Sequence, residues 1–258
     1  MTFFGGLPEF IRLKLSITAA LLASCGYMLF SPSGPGLVFI SSGSFFGCCA
    51  IYGYNNMIDK KEDMVNRGKV NPIARSPIGR PLVAVCLTAG FAFASFLPPV
   101  SLILYSLFVA GCMLYSAFGV KRYFLVKNIY TAFALSLVFM SGAAYSAFHV
   151  DMVAYAAVVF LLMLSGSFAS DLRDMKGDAH AGFRTIPVVM GRATAKASVL
   201  SILAFMMLSV VFLDLSRLLV IIPFALLKFF LIAGERFNLA HNVNGLSVIA
   251  LAASLLVA

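Results

Sequence analysis

Residues 150–170 read VDMVAYAAVVFLLMLSGSFAS, an apolar run whose one charged residue, Asp151, stands near its beginning. A transmembrane helix needs about 20 predominantly apolar residues to cross a hydrocarbon core of roughly 30 Å, so this run can span a membrane. Directly after it, residues 171–178 read DLRDMKGD and hold three of the ten carboxylates in the chain. A membrane span that ends in a cluster of acids is therefore the feature from which the fold and the function are predicted.

Similar apolar runs fill the rest of the 258-residue chain, which is 61% hydrophobic and 11% charged, with a mean hydropathy of +0.98. This composition excludes an ordinary soluble domain. We predict one transmembrane domain over residues 1–258, an all-α polytopic membrane fold with about nine transmembrane helices. The predicted spans are 12–31, 36–57, 81–98, 100–118, 127–147, 150–170, 192–213, 216–234 and 239–257.

The basic residues predict the orientation of these spans. Seventeen of the 19 Lys and Arg residues lie at the beginning of the first span, or in and directly beside the connections that follow the second, fourth, sixth and eighth spans. All these positions fall on one side of the membrane. Cytoplasmic connections carry the positive excess, so the N-terminus and the connections 58–80 and 171–191 are expected in the cytoplasm and the C-terminus across the membrane. The net charge of +9 forms no basic tail or separate module, so we expect no nucleic-acid partner. The five cysteines show no C-x-x-C spacing and predict neither a disulfide framework nor a zinc site.

Acidic residues gather in two windows that both fall on the predicted cytoplasmic side. In each window the spacing places the polar side chains on one face of a helix. Like charges at these separations repel one another unless a cation lies between them, and Mg2+ binds one or two protein carboxylates together with substrate phosphates. The windows therefore indicate metal ions that bridge a diphosphate, although either window alone could be a solvated helix end. The side chains are Asn55, Asp59 and Asp63 in the first window and Asp171, Asp174 and Asp178 in the second.

Cations near the two windows could donate hydrogen bonds to phosphate oxygens, because phosphates need Lys and Arg donors as well as metal. Some of them must act simply as determinants of orientation. The candidates are Arg67, Lys69, Arg75, Lys121, Arg122 and Arg184.

At these residues the chain resembles the UbiA superfamily of intramembrane prenyltransferases. Residues 55–63, NNMIDKKED, are similar to the family pattern N-D-x-x-D-x-x-x-D, and residues 171–178 match D-x-x-D-x-x-x-D. Residues 182–191, GFRTIPVVMG, are similar to G-x-x-T-L-P-V-x-x-G. Two departures stand out: Asn56 occupies the position of a usual Asp, which removes a negative charge from the first cluster, and residues 71–79 follow the family only loosely.

The resemblance implies a ring of helices around a central apolar cavity, which holds the isoprenyl tail and is capped by the cytoplasmic motif loops 55–80 and 171–191. It implies two Mg2+ ions that bridge the diphosphate, held by Asn55 and by the five aspartates, which are the catalytic set. It also implies roles in diphosphate binding for Arg12 in residues 10–13 and for Tyr115, beside Ser116. The residues assigned to the diphosphate are thus Asn55, Arg67, Lys69, Arg75, Lys121, Arg122, Arg184, Arg12 and Tyr115.

The expected activity is Mg2+-dependent transfer of an isoprenyl group from an isoprenyl diphosphate to a lipophilic acceptor, either an ether-lipid glycerol or an aromatic quinone precursor, with membrane lipids around the protein. Two alternatives remain open. A membrane terpene cyclase would use the same ionisation without an acceptor. An ion-coupled transporter would place carboxylates along an ion path, but no carboxylate falls near the middle of a predicted span.

Overall fold

The computed structural model describes residues 3–31, 34–60, 63–64, 70–120, 123–180 and 182–257. Regular secondary structure within these ranges is entirely helical, which confirms the predicted fold class. The α-helices have these bounds: α1 Phe3–Phe10, α2 Leu13–Phe30, α3 Gly36–Ile58, α4 Pro72–Arg75, α5 Gly79–Ala94, α6 Pro99–Ala117, α7 Val126–Ala143, α8 Asp151–His180, α9 Ile186–Met190, α10 Arg192–Phe212, α11 Ile222–Ala233 and α12 Phe237–Val257. A 3-10 helix, Ser216–Ile221, leads directly into α11.

Eight helical segments of the described chain are long and apolar enough to cross a membrane; the 3-10 helix and α11 together form one of them. The chain is therefore an integral, multi-pass membrane protein. The predicted third span, 81–98, corresponds to α5, which has 16 residues. At 1.5 Å per residue α5 is about 24 Å long, shorter than a hydrocarbon core of roughly 30 Å. The predicted number of nine spans is thus not confirmed by helix length.

The helix α8 runs through the second acidic window, which the sequence predicted to be part of a connection. It continues for 30 residues and ends at His180. Helix formation persists because the window contains neither Gly nor Pro before Gly177 and because Leu172 remains buried against the helices around it. The chain leaves the helix next to Gly182, whose φ of 74° lies in the left-handed region. The acids consequently belong to the same helix as the membrane span.

The chain divides into two compact units. The first comprises residues 1–119 and 137–148, and the second comprises residues 120–136 and 149–258, so that α7 contributes to both. In the first unit α3 packs against α2 and α5, and the end of α7 approaches α2 very closely. A Cβ atom on Gly142 would overlap the carbonyl oxygen of Ala23, and one on Gly26 would overlap that of Phe139. Glycine therefore sets the separation of these two helices.

The short helix α1 is fixed to the first unit by apolar and polar contacts. Phe10 is fully buried and packs in a cluster with Ile73 of α4. The Asn71 side chain donates a hydrogen bond from Nδ2 to the Gly6 carbonyl oxygen (2.8 Å), and its Oδ1 accepts one from the Ile73 amide (2.9 Å). Asn71 thus caps α4 and holds α1 beside it.

A fully buried lysine joins three helices of the second unit. Lys228 of α11 donates hydrogen bonds from Nζ to Ser165 Oγ of α8 (2.8 Å) and to Asn244 Oδ1 of α12 (2.7 Å). Asn244 in turn donates from Nδ2 to the Leu162 carbonyl oxygen (3.1 Å). The amide of Asn244 occupies the space that a side chain at Gly166 would need. Such partners are required because an ionisable group in a membrane span is costly without them.

Candidate active site

The first acidic segment extends beyond the last turn of α3. The Asp59 amide donates to the Asn55 carbonyl oxygen (2.9 Å), and the Asp63 amide donates to the Asp59 carbonyl oxygen (2.8 Å). The i to i+4 spacing of a helix therefore continues past Ile58, although the helix itself ends there. Asn55, Asp59 and Asp63 consequently lie along one face, as their spacing predicts.

Asn55 connects this segment to α6. Its Nδ2 donates to Asp59 Oδ2 (2.7 Å), and its Oδ1 accepts a hydrogen bond from Ser116 Oγ (3.0 Å). Asp59 is buried, so this amide both satisfies and orients its carboxylate. Tyr115, the neighbour of Ser116, is half-buried on the same helix. The structure therefore brings together Asn55, Asp59 and Ser116 within the first unit.

The second acidic segment occupies the last three turns of α8 and begins with a buried carboxylate. Asp171 is 2% exposed, with Oδ1 accepting from Lys127 Nζ (2.7 Å) and Oδ2 from Asn128 Nδ2 (2.8 Å). Asn128 also donates to Ser167 Oγ (2.9 Å). Both carboxylate oxygens of Asp171 thus accept hydrogen bonds from side chains in the first turn of α7. These bonds connect α7 to α8.

Lys127 and Asn128 were not predicted as parts of the site. Lys127 is one of the seventeen basic residues that predict the orientation, and Asn128 is a neutral residue that is buried at 2% exposure. The available signal was a Lys-Asn pair at the start of an apolar helix, where a polar amide needs a buried partner.

The other two acids of α8 have different environments. Asp174 is 49% exposed and accepts two hydrogen bonds from its neighbour Arg173, from Nε to Oδ1 (2.8 Å) and from Nη2 to Oδ2 (2.6 Å). Asp178 Oδ2 is buried, and within the described residues it has no hydrogen-bond partner. The hydroxyl oxygen of Thr185, in the segment that leads from α8 to α9, is also buried; it lies near this carboxylate without forming a hydrogen bond of ordinary geometry. A buried carboxylate oxygen without a partner is costly unless a cation or a donor completes it.

These environments fit a hard divalent cation. Asp178 offers an unsatisfied oxygen, and Asp174 is accessible once Arg173 releases it. Among the described residues, no three His, Cys, Asp or Glu side chains converge into a metal-binding group. Mg2+ does not need such a protein cage, because it is commonly bound through one or two carboxylates plus water and substrate phosphates.

The predicted phosphate-binding cations are not all described by the structure. Arg67, Lys69, Lys121 and Arg122 lie outside the described residues. The guanidinium of Arg12 lies over the Tyr52 ring, 5.2 Å from its centroid, Arg75 is exposed at the end of α4, and Arg184 is exposed before α9. Their assignment to the diphosphate stays a prediction.

Asn56 stands at a position where the family pattern has Asp. Its side chain contacts the end of α1 and not the acidic residues. It is buried, and its Nδ2 donates to the carbonyl oxygens of Phe10 (2.6 Å) and Glu9 (3.4 Å) at the end of α1. An ionised carboxylate could not donate these hydrogen bonds. The amide at this position therefore attaches α1 to α3.

We expect Asn56→Asp to lower the free energy of unfolding by about 1–3 kcal/mol, because it sets a buried carboxylate against two carbonyl oxygens. Thermal unfolding of the purified protein in detergent measures the change. The matched control is Asn242→Asp, since Asn242 is exposed on α12. Equal unfolding temperatures for the two variants would contradict the role given to the Asn56 amide.

The fold and the site define a multi-pass, all-helical membrane protein that carries two aspartate segments. Residues 15–252 match the model of the UbiA prenyltransferase family, and the chain belongs to this family. A search of curated proteins gives no match.

Solved structures share the fold at low sequence identity. A UbiA homolog from Aeropyrum pernix K1 has a TM-score of 0.80 and 20% identity, with 95% of this chain and 98% of that chain covered. A UbiA homolog from Archaeoglobus fulgidus bound to GPP and Mg2+ has a TM-score of 0.75 and 16% identity, with coverage of 96% and 99%. A digeranylgeranylglyceryl phosphate synthase has a TM-score of 0.71 and 19% identity, with coverage of 96% and 98%.

Proposed function

We propose that this protein is a magnesium-dependent intramembrane prenyltransferase. It transfers an isoprenyl group from an isoprenyl diphosphate to a lipophilic acceptor, an ether-lipid glycerol or an aromatic quinone precursor. The observation that carries the proposal is the unsatisfied, buried Oδ2 of Asp178 beside the exposed Asp174 on the second acidic segment. The family match supports it, as does the homolog from Archaeoglobus fulgidus, which was solved with GPP and Mg2+.

We assign metal binding to both acidic segments, with two Mg2+ ions in total. Asp174 and Asp178 offer oxygens in one segment, and Asp59 and Asp63 in the other. When bound, the ions neutralise the diphosphate and make it a better leaving group. Asp171 is a positioning residue: its oxygens accept hydrogen bonds from Lys127 and Asn128, and these bonds fix the start of the second acidic segment.

The protein's part in the reaction is to orient the donor and to exclude water. The allylic carbon to oxygen bond breaks, the diphosphate leaves with the electron pair, and the acceptor nucleophile bonds to the carbocation and loses its proton. Lys and Arg side chains donate to the phosphate oxygens that gain charge. The 25 Phe and 9 Tyr residues provide aromatic surface that can hold an isoprenoid and stabilise a nearby cation.

The distribution of Lys and Arg places the N-terminus and both acidic segments on the cytoplasmic side in this proposal, with the C-terminus on the opposite side. The donor diphosphate then approaches from the cytoplasm. We propose residues 1–258 as a single catalytic domain; the first acidic segment belongs to one compact unit and the second to the other.

Product analysis tests the proposal. We expect purified protein, Mg2+ and geranylgeranyl diphosphate to yield a prenylated adduct by mass spectrometry only when a glycerol-phosphate or aromatic acceptor is present. Addition of EDTA should abolish the adduct, because the leaving group then loses its counter-ions.

Other outcomes identify the alternatives. A cyclic hydrocarbon or alcohol formed from the donor alone would show a terpene cyclase. Substrate-driven flux across liposomes without any covalent product would show a transporter. If folded protein, as shown by a cooperative thermal unfolding transition, did not consume the donor, both the prenyltransferase and the cyclase mechanism would be contradicted.

A further inference from the structure

A cavity lies beside the cytoplasm-facing end of α8 in the proposed orientation, where the turn between α11 and α12 meets that helix. It is open to solvent and has a volume of about 330 Å³. Arg173, on α8, lines the cavity and is paired with Asp174 (2.6 Å), so the cavity borders the second acidic segment. Its lining residues are Arg173, Glu235, Arg236, Phe237, Asn238 and Leu239.

Among the charged side chains that line this cavity, Arg236 is available to bind an anionic ligand. In the part of the chain that the structure describes, the guanidinium of Arg236 makes no hydrogen bond or ion pair. The nearby carboxylate does not neutralise it, because Glu235 is already paired with Arg192 (2.7 Å) and Lys196 (3.4 Å). Arg173 provides a second guanidinium, which is held by Asp174 at the edge of the acidic segment.

The remaining lining residues suit a ligand that is polar at one end. Asn238 is an exposed amide that can donate or accept, whereas Phe237 and Leu239 add apolar surface at the start of α12. The cavity also lies past the apolar run of α8, which ends at Ser170, and next to a turn outside the spans. This is the level at which lipid headgroups meet a membrane protein.

We propose that this cavity binds the phosphate-bearing headgroup of a lipid through Arg236 and Arg173. A planar guanidinium binds phosphate oxygens in a bidentate manner, which a neutral acceptor cannot use. The inference rests on the proposed function, in which the headgroup belongs to a glycerol-phosphate acceptor. Arg173, which would bind its phosphate, directly precedes Asp174 in the sequence. The same chemistry can be supplied by an anionic lipid of the surrounding membrane, and the experiment separates these two sources.

Binding is measured without donor, and in the presence of EDTA, by native mass spectrometry of the purified protein in detergent. The probes are lysophosphatidic acid, 1-monooleoylglycerol as its phosphate-free analogue, and phosphatidylglycerol as a membrane lipid. We expect Arg236→Gln to weaken lysophosphatidic acid binding by about 10-fold, as for the loss of one charged hydrogen bond, and to leave monooleoylglycerol binding unchanged. Arg217→Gln is the matched control, because Arg217 is an exposed arginine at the opposite end of the segment that contains α11.

Each outcome decides the inference. A loss confined to lysophosphatidic acid supports a site for a phosphorylated acceptor, and a similar loss for phosphatidylglycerol supports a site for anionic membrane lipid. Binding by Arg236→Gln equal to that of the wild type for both phosphate-bearing probes would overturn the inference. Failure of the proposed function would instead appear as absent donor consumption, which this binding measurement does not involve.

Discussion

Asp174→Asn is expected to reduce Mg2+-dependent consumption of isoprenyl diphosphate by at least about 100-fold. The substitution keeps the shape of the side chain but removes an anionic metal ligand, and even changes in groups that only support metal ligands typically cost about 10–100-fold. Stability should change little, because Asp174 is 49% exposed and its ion pair with Arg173 is a surface interaction. The measurement is donor turnover over a range of Mg2+ concentrations, together with the thermal unfolding temperature.

Asp151→Asn provides the matched control for this variant. Asp151 is an exposed aspartate on the same helix, in its first turn and therefore at the end far from the acidic segment. We expect it to retain turnover while losing at most about 1 kcal/mol of helix-terminus stabilisation. Full Mg2+-dependent turnover by Asp174→Asn would show that the second segment does not bind the metal.

Gly142→Ala is expected to lower the stability of the first unit strongly. The added Cβ would overlap the carbonyl oxygen of Ala23, and a backbone atom cannot rotate away as the end of a side chain can. The contact between α2 and α7 must therefore open, which we expect to lower the free energy of unfolding by about 1–3 kcal/mol or more. Thermal unfolding in detergent measures the effect.

The control for this substitution is Gly245→Ala, another change of a helical glycine. A Cβ at Gly245 meets no atom within 4 Å, so the variant should gain about 0.5–1 kcal/mol from the better helix propensity of Ala. If the two substitutions shifted the unfolding temperature equally, close packing at Gly142 would not explain its effect.

The spans could be predicted from sequence because lipid imposes a length and a composition on every helix that crosses it. The helix α2 covers Leu13–Phe30 where 12–31 was predicted, and α10 covers Arg192–Phe212 where 192–213 was predicted. The spacing of the acids predicted a helix face, but not that the span 150–170 and the acids form one helix to His180, because polarity marks the end of the apolar run and not the end of the helix.

The environments of individual side chains could be predicted less well. The sequence places Asn55 and Asp171 in the acidic windows, but their partners belong to other helices, and no spacing rule connects them. These partners are Ser116 for Asn55, and Lys127 and Asn128 for Asp171. Asn56 illustrates the same limit, since its amide bonds to Phe10, 46 residues away. Partners of this kind follow from tertiary packing, whereas the spacing of residues on one helix is local.

The hydrogen-bonded lysine of α11 also bears on the biogenesis of the protein. A lysine near the centre of a membrane helix costs about 2.5–3.5 kcal/mol on insertion scales, so α11 is disfavoured in lipid on its own. The groups that offset this cost come from Ser165 of α8, synthesised earlier, and from Asn244 of α12, synthesised later. We therefore expect α11 to leave the translocation machinery for lipid together with α8 and α12, which supply the partners of its lysine.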